Sequence, residues 1–196
     1  NIETALTQAR EMINNGVDII DIGGESTRPN AKAVTIEEEL QRVIPVIQQL
    51  RQESSIPISI DTTKAIVAKE AIAAGADIVN DISGATFDEG MLETVAGLNV
   101  PIILMHIRGN PKTMQSLTDY QDVVAEVKEF LNERVNKAIA CGIDKDKIII
   151  DPGIGFAKKA EQSLELLQRL SEFKALELPI LVGISRKSFM RPILQK

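Results

Sequence analysis

The stretch VDIIDIGGESTRP, residues 17–29, passes from an apolar run directly into a crowded polar segment. Five further apolar runs have the same character, being short, nearly continuous in hydrophobicity and rich in Ile and Val. They are IPISI (56–60), ADIVNDI (76–82), VPIILM (100–105), KIIIDP (147–152) and LPILVGI (178–184). Such runs are typical of strands that are buried on both faces of a parallel sheet. Together with VDIIDI (17–22), they predict six parallel strands.

Segments with helical periodicity separate the apolar runs. Apolar residues recur on one helical face within residues 2–13 and again within residues 36–50. Thr35 and Glu38 have the spacing of a capping box, which predicts that the second helix starts after Thr35. Further helices are predicted at 64–74, 89–97, 119–141 and 161–173. The strict alternation of strand and helix indicates one α/β domain over residues 1–196.

Polar residues end nearly every predicted strand, and their number distinguishes two architectures. In an open doubly wound sheet, only the strands at the switch point face the binding crevice. In a (β/α)8 barrel, all strand ends meet at one mouth, where the active site lies. Six strand ends of this chain carry polar residues: Asp21, Asp61, Asn80 with Asp81, His106, Asp151 and Ser185. The sequence therefore predicts a (β/α)8 TIM barrel.

The predicted barrel is incomplete. A TIM barrel has eight strands and typically about 250 residues, whereas about six strands are predicted in these 196 residues. The chain starts with a helix and stops soon after SRKS (185–188). We expect it to lack the first strand and the last β/α unit. Open sheet edges would then weaken ligand binding and promote aggregation.

Composition and charge exclude several classes of function. A formal net charge of −6 is opposite to what nucleic-acid binding requires. No apolar run approaches the length of a membrane span, and the first ten residues lack the pattern of a signal peptide. The only cysteine, Cys141, cannot form a disulfide within the chain, which suits a reducing compartment. We expect a cytoplasmic protein without nucleic-acid or membrane partners.

Four polar residues are expected to surround the mouth of the barrel: Asp61, Asn80, Asp151 and Lys187. Taken singly, an Asp at a strand end is as readily explained as a helix cap, and His106, the only histidine, as a structural residue. Together, carboxylates, an amide and an ammonium suit a flat heterocycle that carries both hydrogen-bond donors and acceptors. A guanine-like or pterin-like ring meets this requirement.

Six motifs occur in order along the chain: DIGGESTRP (21–29), SIDTTK (59–64), NDISG (80–84), LMH..GNPKTMQ (104–115), DPGIGF (151–156) and SRKS (185–188). Together they resemble dihydropteroate synthase, the folate-pathway family that sulfonamides target. The resemblance extends over the whole chain and implies the same barrel. It implies a transferase that condenses 6-hydroxymethyl-7,8-dihydropterin diphosphate with p-aminobenzoate, giving 7,8-dihydropteroate and pyrophosphate.

Carried over position by position, the resemblance implies two neighbouring subsites. The residues implied at the pterin are Asp61, Asn80, Ile82, Met105, Asp151, Phe156 and Lys187. The residues implied at p-aminobenzoate are Thr27, Arg28, Pro29, Ser185 and Lys187. Catalytic roles fall to Lys187, Arg28 and Asp61, while Asp21 would lie near the mouth.

The resemblance also implies Mg²⁺, bound together with the substrate diphosphate, and a homodimer. The family's metal ligand lies in a first-strand loop that we expect this chain to lack, so we expect no metal ligand within it. Asn30 and Ala157 depart from the family pattern, because glycine is usual at both positions.

Two other interpretations stay open. One is the pterin-binding domain of a folate-dependent methyltransferase, which would resemble this chain at Asp61, Asn80 and Asp151. The other is a truncated, non-catalytic pterin-binding protein. A methyltransferase domain would not be expected to carry STRP together with SRKS, so these two motifs favour the synthase.

Overall fold

A computed structural model describes residues 1–28 and 32–185. Five short parallel strands form one sheet in the order of the chain: β1 Ile20–Gly23, β2 Ile58–Asp61, β3 Ile78–Asp81, β4 Ile102–Met105 and β5 Ile148–Asp151. A doubly wound sheet reverses its strand order at the switch point. The unbroken order found here is that of consecutive strands in a barrel, as predicted.

Helices connect the strands and pack on one face of the sheet. They are α1 Ile2–Asn14, α2 Ile36–Glu53, α3 Ala65–Ala74, α4 Met91–Leu98, α5 Val123–Ala140 and α6 Ala160–Gln168. Short 3-10 helices lie at Met114–Ser116, Lys145–Lys147 and Leu170–Leu176. The capping box is confirmed, because Thr35 Oγ1 accepts from the Glu38 N–H and Glu38 Oε2 accepts from the Thr35 N–H. No described helix is long and apolar enough to cross a bilayer.

The sixth predicted strand, residues 178–184, is only partly formed within the described part of the chain. It contributes one parallel bridge, between Ile150 and Ile180. The Ile150 N–H donates to the Pro179 carbonyl at 3.0 Å, and the Leu181 N–H donates to the Ile150 carbonyl at 2.9 Å. The segment therefore lies beside β5 in the place of a sixth strand, but it does not continue the ladder beyond this bridge.

Two predicted helices differ from the structure by four or more residues at one end. The helix predicted at 119–141 begins only at Val123, because the Asp122 carboxylate accepts backbone N–H groups of the first turn and acts as the N-cap. The helix predicted at 161–173 ends at Gln168 and is followed by the 3-10 helix Leu170–Leu176. This 3-10 helix places Phe173 fully inside the core.

The alternation of side chains along each strand gives the sheet two different faces. Ile58, Ile60 and Leu104 are fully buried in the main hydrophobic core, which the strands share with the helices. The alternate positions face the interior of the barrel: toward the carboxyl ends they include the polar residues Asp21, Ser59, Asp61, Asn80 and Asp151, and the rest are Gly23, Ile78, Ile103, Met105 and Ile149. The outward face thus stabilises the fold, while the inward face assembles a site.

Arg51 connects several elements at the end of the sheet that is opposite the site. Its guanidinium donates to the backbone carbonyls of Gly75, Ser54 and Ile56 at 2.9–3.1 Å and to Asp77 Oδ2 at 2.5 Å. These bonds join the end of α2 to the end of α3 and to the segment that enters β2. Arg51 is therefore a structural residue, and Asp77 Oδ2, which also accepts from the Ile58 N–H at 2.9 Å, links it to the start of β2.

We expect Arg51→Met to lower the free energy of unfolding by about 2–4 kcal/mol, since several carbonyl groups lose their donor. Urea unfolding followed by circular dichroism measures the change. Arg10→Met is the matched control, because Arg10 makes an exposed bidentate ion pair with Glu53 at 2.6–2.7 Å that should contribute little. Equal losses in the two variants would contradict a special role for Arg51.

Candidate active site

A cavity of about 200 Å³ opens at the carboxyl ends of the strands. It is lined by Asp21, Thr27, Asp61, Asn80, Ile82, Met105, Asp151, Ile154, Phe156, Leu181 and Gly183. Six of the seven residues predicted for the pterin subsite thus lie around one cavity. The seventh, Lys187, lies outside the described residues. The cavity combines carboxylates and an amide with the apolar side chains of Ile82, Met105 and Phe156, as a flat polar ring requires.

The strand register brings the polar lining residues together. Gly23 pairs with Asp61, and Asp61 in turn pairs with Asn80 on the next strand. Asp21 precedes Gly23 by two residues in β1 and therefore faces the same side of the sheet. Its carboxylate accepts from Ser59 Oγ at 2.5 Å and from Asn80 Nδ2 at 3.4 Å. The sequence placed Asp21 only near the mouth, whereas the structure makes it part of the lining.

The two glycines of DIGGESTRP have separate steric functions. A Cβ on Gly23 would lie 3.3 Å from Asp61 Cβ and 3.4 Å from Asp61 Oδ2. A Cβ on Gly24 would lie only 2.8 Å from Cγ of Glu39 and 3.0 Å from Cγ1 of Val43, both on α2. Gly23 therefore leaves room for a site carboxylate, and Gly24 allows α2 to pack closely against the strand end.

Asp61 has the most unfavourable electrostatic environment of the lining. Burial raises its pKa well above the usual value, and the nearby carboxylates of Asp21, Asp81, Glu39 and Glu25 raise it further. Within the described residues, no side chain or backbone N–H donates a hydrogen bond to it. A ligand that offers N–H donors or positive charge would relieve this cost.

Asp151 ends β5 and is positioned by the loop that follows it. Its Oδ1 accepts from the Gly153 N–H at 2.7 Å, and its backbone carbonyl accepts from the His106 N–H at 3.0 Å. Gly153 has a φ of +70°, and a Cβ there would lie 2.0 Å from the His106 carbonyl oxygen. Only glycine fits this close approach, so DPG is required by the backbone around Asp151.

Lys158 is a buried residue of the site region that sequence reasoning missed. It is only 4 % exposed, and its Nζ lies 2.8 Å from both the Phe156 carbonyl oxygen and His106 Nδ1. These contacts hold the DPGIGF loop against β4, behind the face that Phe156 presents to the cavity. No local pattern distinguishes Lys158 from the exposed lysine beside it, so the sequence contained no signal for this role.

Ala157, one of the two departures from the family pattern, adopts a left-handed backbone with φ of +50°. Its side chain is fully buried, and its carbonyl accepts from the Tyr120 hydroxyl at 2.9 Å. This conformation costs an alanine roughly 1–2 kcal/mol, which a glycine would avoid. The surrounding packing and the Tyr120 bond hold it in place. Asn30, the other departure, lies outside the described residues.

The residues predicted for the p-aminobenzoate subsite are brought together only in part. Thr27 lines the cavity described above, whereas Arg28 and Ser185 are exposed and do not line it. Pro29 and Lys187 lie outside the described residues. A second cavity of about 260 Å³ adjoins the first and shares Thr27, Asp61 and Ile82 with it.

Metal-binding capacity is limited in the part of the chain that the structure describes. Among residues 1–28 and 32–185, no three His, Cys, Asp or Glu side chains are grouped so that they could hold a metal ion. The carboxylates of the mouth therefore do not form a preassembled cation site.

Comparison with known proteins identifies the family. A family model described as pterin binding enzyme matches residues 1–196. The dihydropteroate synthase of Synechocystis sp. is 57% identical over 196 residues, which are all of this chain and 68% of that protein. The Escherichia coli K12 dihydropteroate synthase is 47% identical over 190 residues, or 97% of this chain and 67% of that protein. The chain belongs to the dihydropteroate synthase family.

Solved structures of dihydropteroate synthases have the same fold. The Xanthomonas albilineans enzyme with 4-aminobenzoic acid superposes with a TM-score of 0.94 at 43% identity, covering all of this chain and 69% of that one. The Yersinia pestis enzyme with a sulfonamide drug complex superposes with a TM-score of 0.96 at 42% identity, covering all of this chain and 71% of that one. The prediction of a dihydropteroate synthase on a partial TIM barrel is confirmed, and the chain spans about two thirds of the length of these relatives. The family assignment favours the synthase over the methyltransferase-domain alternative.

We expect Asp61→Asn to raise the free energy of unfolding of this synthase at pH 8, by on the order of 1 kcal/mol. The folded protein holds the Asp61 proton more tightly than the unfolded chain, so stability is lost as the pH rises through the raised pKa. Asparagine avoids the cost of ionising this buried side chain. That gain in stability should disappear near pH 4, where the raised pKa keeps Asp61 of the folded protein protonated. Chemical unfolding at several pH values measures this, with the exposed Asp18→Asn as the control. A loss of stability at every pH would show that the Asp61 carboxylate is structural instead.

We expect His106 to stay neutral across the physiological range. Burial, together with the charges of Lys158 and Arg108, lowers its pKa from 6.5 to about 2. The ring also packs edge to face against Phe130, with centroids 4.9 Å apart. Because it is the only histidine, its Cε1–H signal in NMR spectra of untagged protein is unambiguous and should not shift between pH 8 and 5. In urea the same signal should titrate normally, and a normal titration in the folded protein would exclude the buried contact with Lys158.

Proposed function

We propose that this chain provides the pterin pocket and part of the p-aminobenzoate subsite of a dihydropteroate synthase. The reaction joins 6-hydroxymethyl-7,8-dihydropterin diphosphate to p-aminobenzoate and releases pyrophosphate. One observation carries the proposal: Asp61, Asn80 and Asp151 converge on a single cavity whose walls are apolar. This arrangement has the mixture of acceptors, donors and flat surfaces that a pterin ring needs.

The carboxylates are suited to the N–H groups of the pterin. Asp151 would accept from the 2-amino and ring N–H groups, and Asp61 and Asn80 would bond the other edge of the ring. Ile82, Met105 and Phe156 would cover its faces. The pKa of Asp61 is raised chiefly by burial, and hydrogen bonds from the ligand would lower it again. Pterin binding would therefore be coupled to ionisation of Asp61.

The chemistry breaks the bond between the pterin methylene carbon and the diphosphate oxygen and forms a bond from that carbon to the arylamine nitrogen. The resemblance to the family implies that the diphosphate leaves first, which creates positive charge on the pterin methylene. Ionised carboxylates in a buried mouth stabilise such a cation, and apolar walls keep water away from it. The arylamine needs no strong base, since it loses its proton readily once the new bond has formed.

The loop residues complete the proposal. Thr27, Arg28 and Pro29 would cover p-aminobenzoate from one side and Ser185 from the other, and Lys187 would donate to the pterin carbonyl or a ring nitrogen. Thr27 already lines the cavity. Arg28 and Lys187 would help to neutralise the departing diphosphate, which is an anion that needs cationic partners.

Mg²⁺, a homodimer and a cytoplasmic location are proposed on the family resemblance. The described residues do not fit a Mg²⁺ site of their own, so no step of the proposed reaction is assigned to the ion. Its requirement is read directly by running the assay with and without Mg²⁺. Cys141, the only cysteine, is exposed, which agrees with a reducing compartment.

The decisive experiment is calorimetric titration with the pterin diphosphate, followed by an assay of pyrophosphate release that needs both substrates. Asp151→Asn keeps an oxygen to accept the Gly153 N–H but removes the charge, so we expect the fold to survive and binding to weaken about 10- to 100-fold. Asp18→Asn, at an exposed position outside the cavity, is the control. Binding that is indifferent to Asp151→Asn and Asp61→Asn would refute the pocket assignment.

A further inference from the structure

Glu25 is the residue of DIGGESTRP that connects the loop to the rest of the barrel mouth. Its Oε2 accepts from Lys64 Nζ at 2.5 Å, and its Oε1 accepts from the Val34 N–H at 3.4 Å. Glu25, which precedes the STRP motif, therefore contacts the backbone that follows the motif at Val34 and the residue after β2 at Lys64. By contrast, within residues 1–28 and 32–185 the side chain of Ser26 accepts only from the nearby Arg28 N–H, at 3.4 Å.

Lys64 supplies the cation for this contact and for a second one. It follows β2 three residues after Asp61 and lies at the start of α3. Its Nζ also donates to Glu39 Oε2 on α2 at 2.5 Å. Burial alone would lower the pKa of Lys64, but the hydrogen bonds to Glu25 and Glu39 outweigh it and raise the pKa. One ammonium group thus joins the STRP loop, α2 and the end of β2; we call Glu25, Lys64 and Glu39 the Lys64 bridge.

The Lys64 bridge is buried to different degrees at its two ends. The Glu39 side chain is 1 % exposed, the Lys64 side chain 21 % and the Glu25 side chain 30 %. Glu39 Oε1 has no hydrogen-bond partner among the described residues. Buried ion pairs contribute little net stability, because desolvation offsets the attraction between the charges. Stabilisation of the fold is therefore a weak reason for three charged residues at this position.

The location of the Lys64 bridge suggests another reason. Glu25 precedes Thr27 and Arg28 by two and three residues, and Lys64 follows Asp61 by three. Glu25, Thr27, Glu39 and Asp61 all line the second cavity, directly beside the proposed pterin pocket. Arg42 adds a further contact to the same segment, donating from α2 to the Gly24 carbonyl at 2.9 Å.

We propose that Glu25 and Lys64 are positioning residues that hold the segment carrying Thr27 and Arg28 in register with the strand end carrying Asp61. Neither residue touches the reacting atoms. The bridge sets the distance between the p-aminobenzoate side of the mouth and the pterin pocket, so its loss should affect the two substrates unequally. This inference rests on the proposed function for the identity of the substrates, but not for the existence of the anchored segment.

The variant that tests the bridge is Glu25→Ala. It leaves the more deeply buried pair of Lys64 and Glu39 intact, whereas Lys64→Met would leave the buried Glu39 carboxylate without its cation and destabilise the fold. We expect the KM for p-aminobenzoate to rise about tenfold, because small misplacements of a positioning group are costly. The affinity for the pterin diphosphate should stay within about twofold of wild type on the same argument. Glu25→Gln retains an oxygen acceptor for Lys64 and should recover most of the loss.

A second readout does not need activity. Lys32 is exposed in the same loop, and trypsin cleavage after it can be timed by mass spectrometry. Release of the anchor should increase this cleavage severalfold in Glu25→Ala, since proteolysis follows local opening. Glu53→Ala is the matched control, as it removes a glutamate at the end of α2 that makes an exposed ion pair with Arg10 and should leave cleavage and both substrate constants unchanged.

The outcomes separate the two hypotheses. If wild-type protein releases no pyrophosphate, the proposed function fails, and the cleavage rate alone decides whether the bridge anchors the segment. If wild type is active but Glu25→Ala changes neither cleavage nor the KM for p-aminobenzoate, the positioning role is overturned. Equal weakening of both substrates together with a lower melting temperature would also overturn it, because that result describes a purely structural residue.

Discussion

The parallel register of the first three strands determines the geometry of the site. It places Gly23 beside Asp61 and Asp61 beside Asn80. Because alternate residues of a strand point to opposite faces, burial of Ile58 and Ile60 in the helix-covered core turns Asp61 toward the barrel interior. A shift by one residue would exchange the two sets of side chains. The hydrophobic core therefore fixes the position of the site carboxylates, and one of its members, Ile154, also lines the cavity.

The barrel mouth contains carboxylates that folding alone does not favour. Burial is the largest cause of the raised pKa values of Asp21 and Asp61, and also of Asp81, which lies on the opposite, helix-covered face of β3 beside Leu104. Asp81, whose pKa is raised to about 6, is partly compensated by hydrogen bonds from the Ser83 N–H and hydroxyl. Asp61 has no such donor within the described residues. Carboxylates that are costly in the free protein are expected where a ligand completes their hydrogen bonds, and Asp61 meets that description.

The sequence predicted the features that depend on local pattern. Apolar runs with polar ends located five strands and the carboxylates that line the cavity, and the Thr35 capping box located the start of α2. The same reasoning missed what depends on distant contacts. The helix expected at 161–173 ends early so that Phe173 can enter the core, and Lys158 reaches His106 across 52 residues. Such contacts leave no periodic signal, because they arise only when separate elements pack together.

The distribution of charge around Lys64 explains why Asp61 keeps its unusual environment. An ammonium three residues after Asp61 is near enough in sequence to have neutralised that carboxylate, which would have lowered its pKa and occupied its acceptor positions. Instead, Lys64 donates to Glu25 and Glu39, each at 2.5 Å. Gly24 makes this arrangement accessible, since a Cβ there would lie 2.8 Å from Glu39 Cγ. The polar residues of DIGGESTRP thus have separate functions. Its glycines leave room for the neighbouring carboxylates, and Glu25 shares the Lys64 ammonium with Glu39, so that Lys64 leaves the Asp61 oxygens as open acceptors.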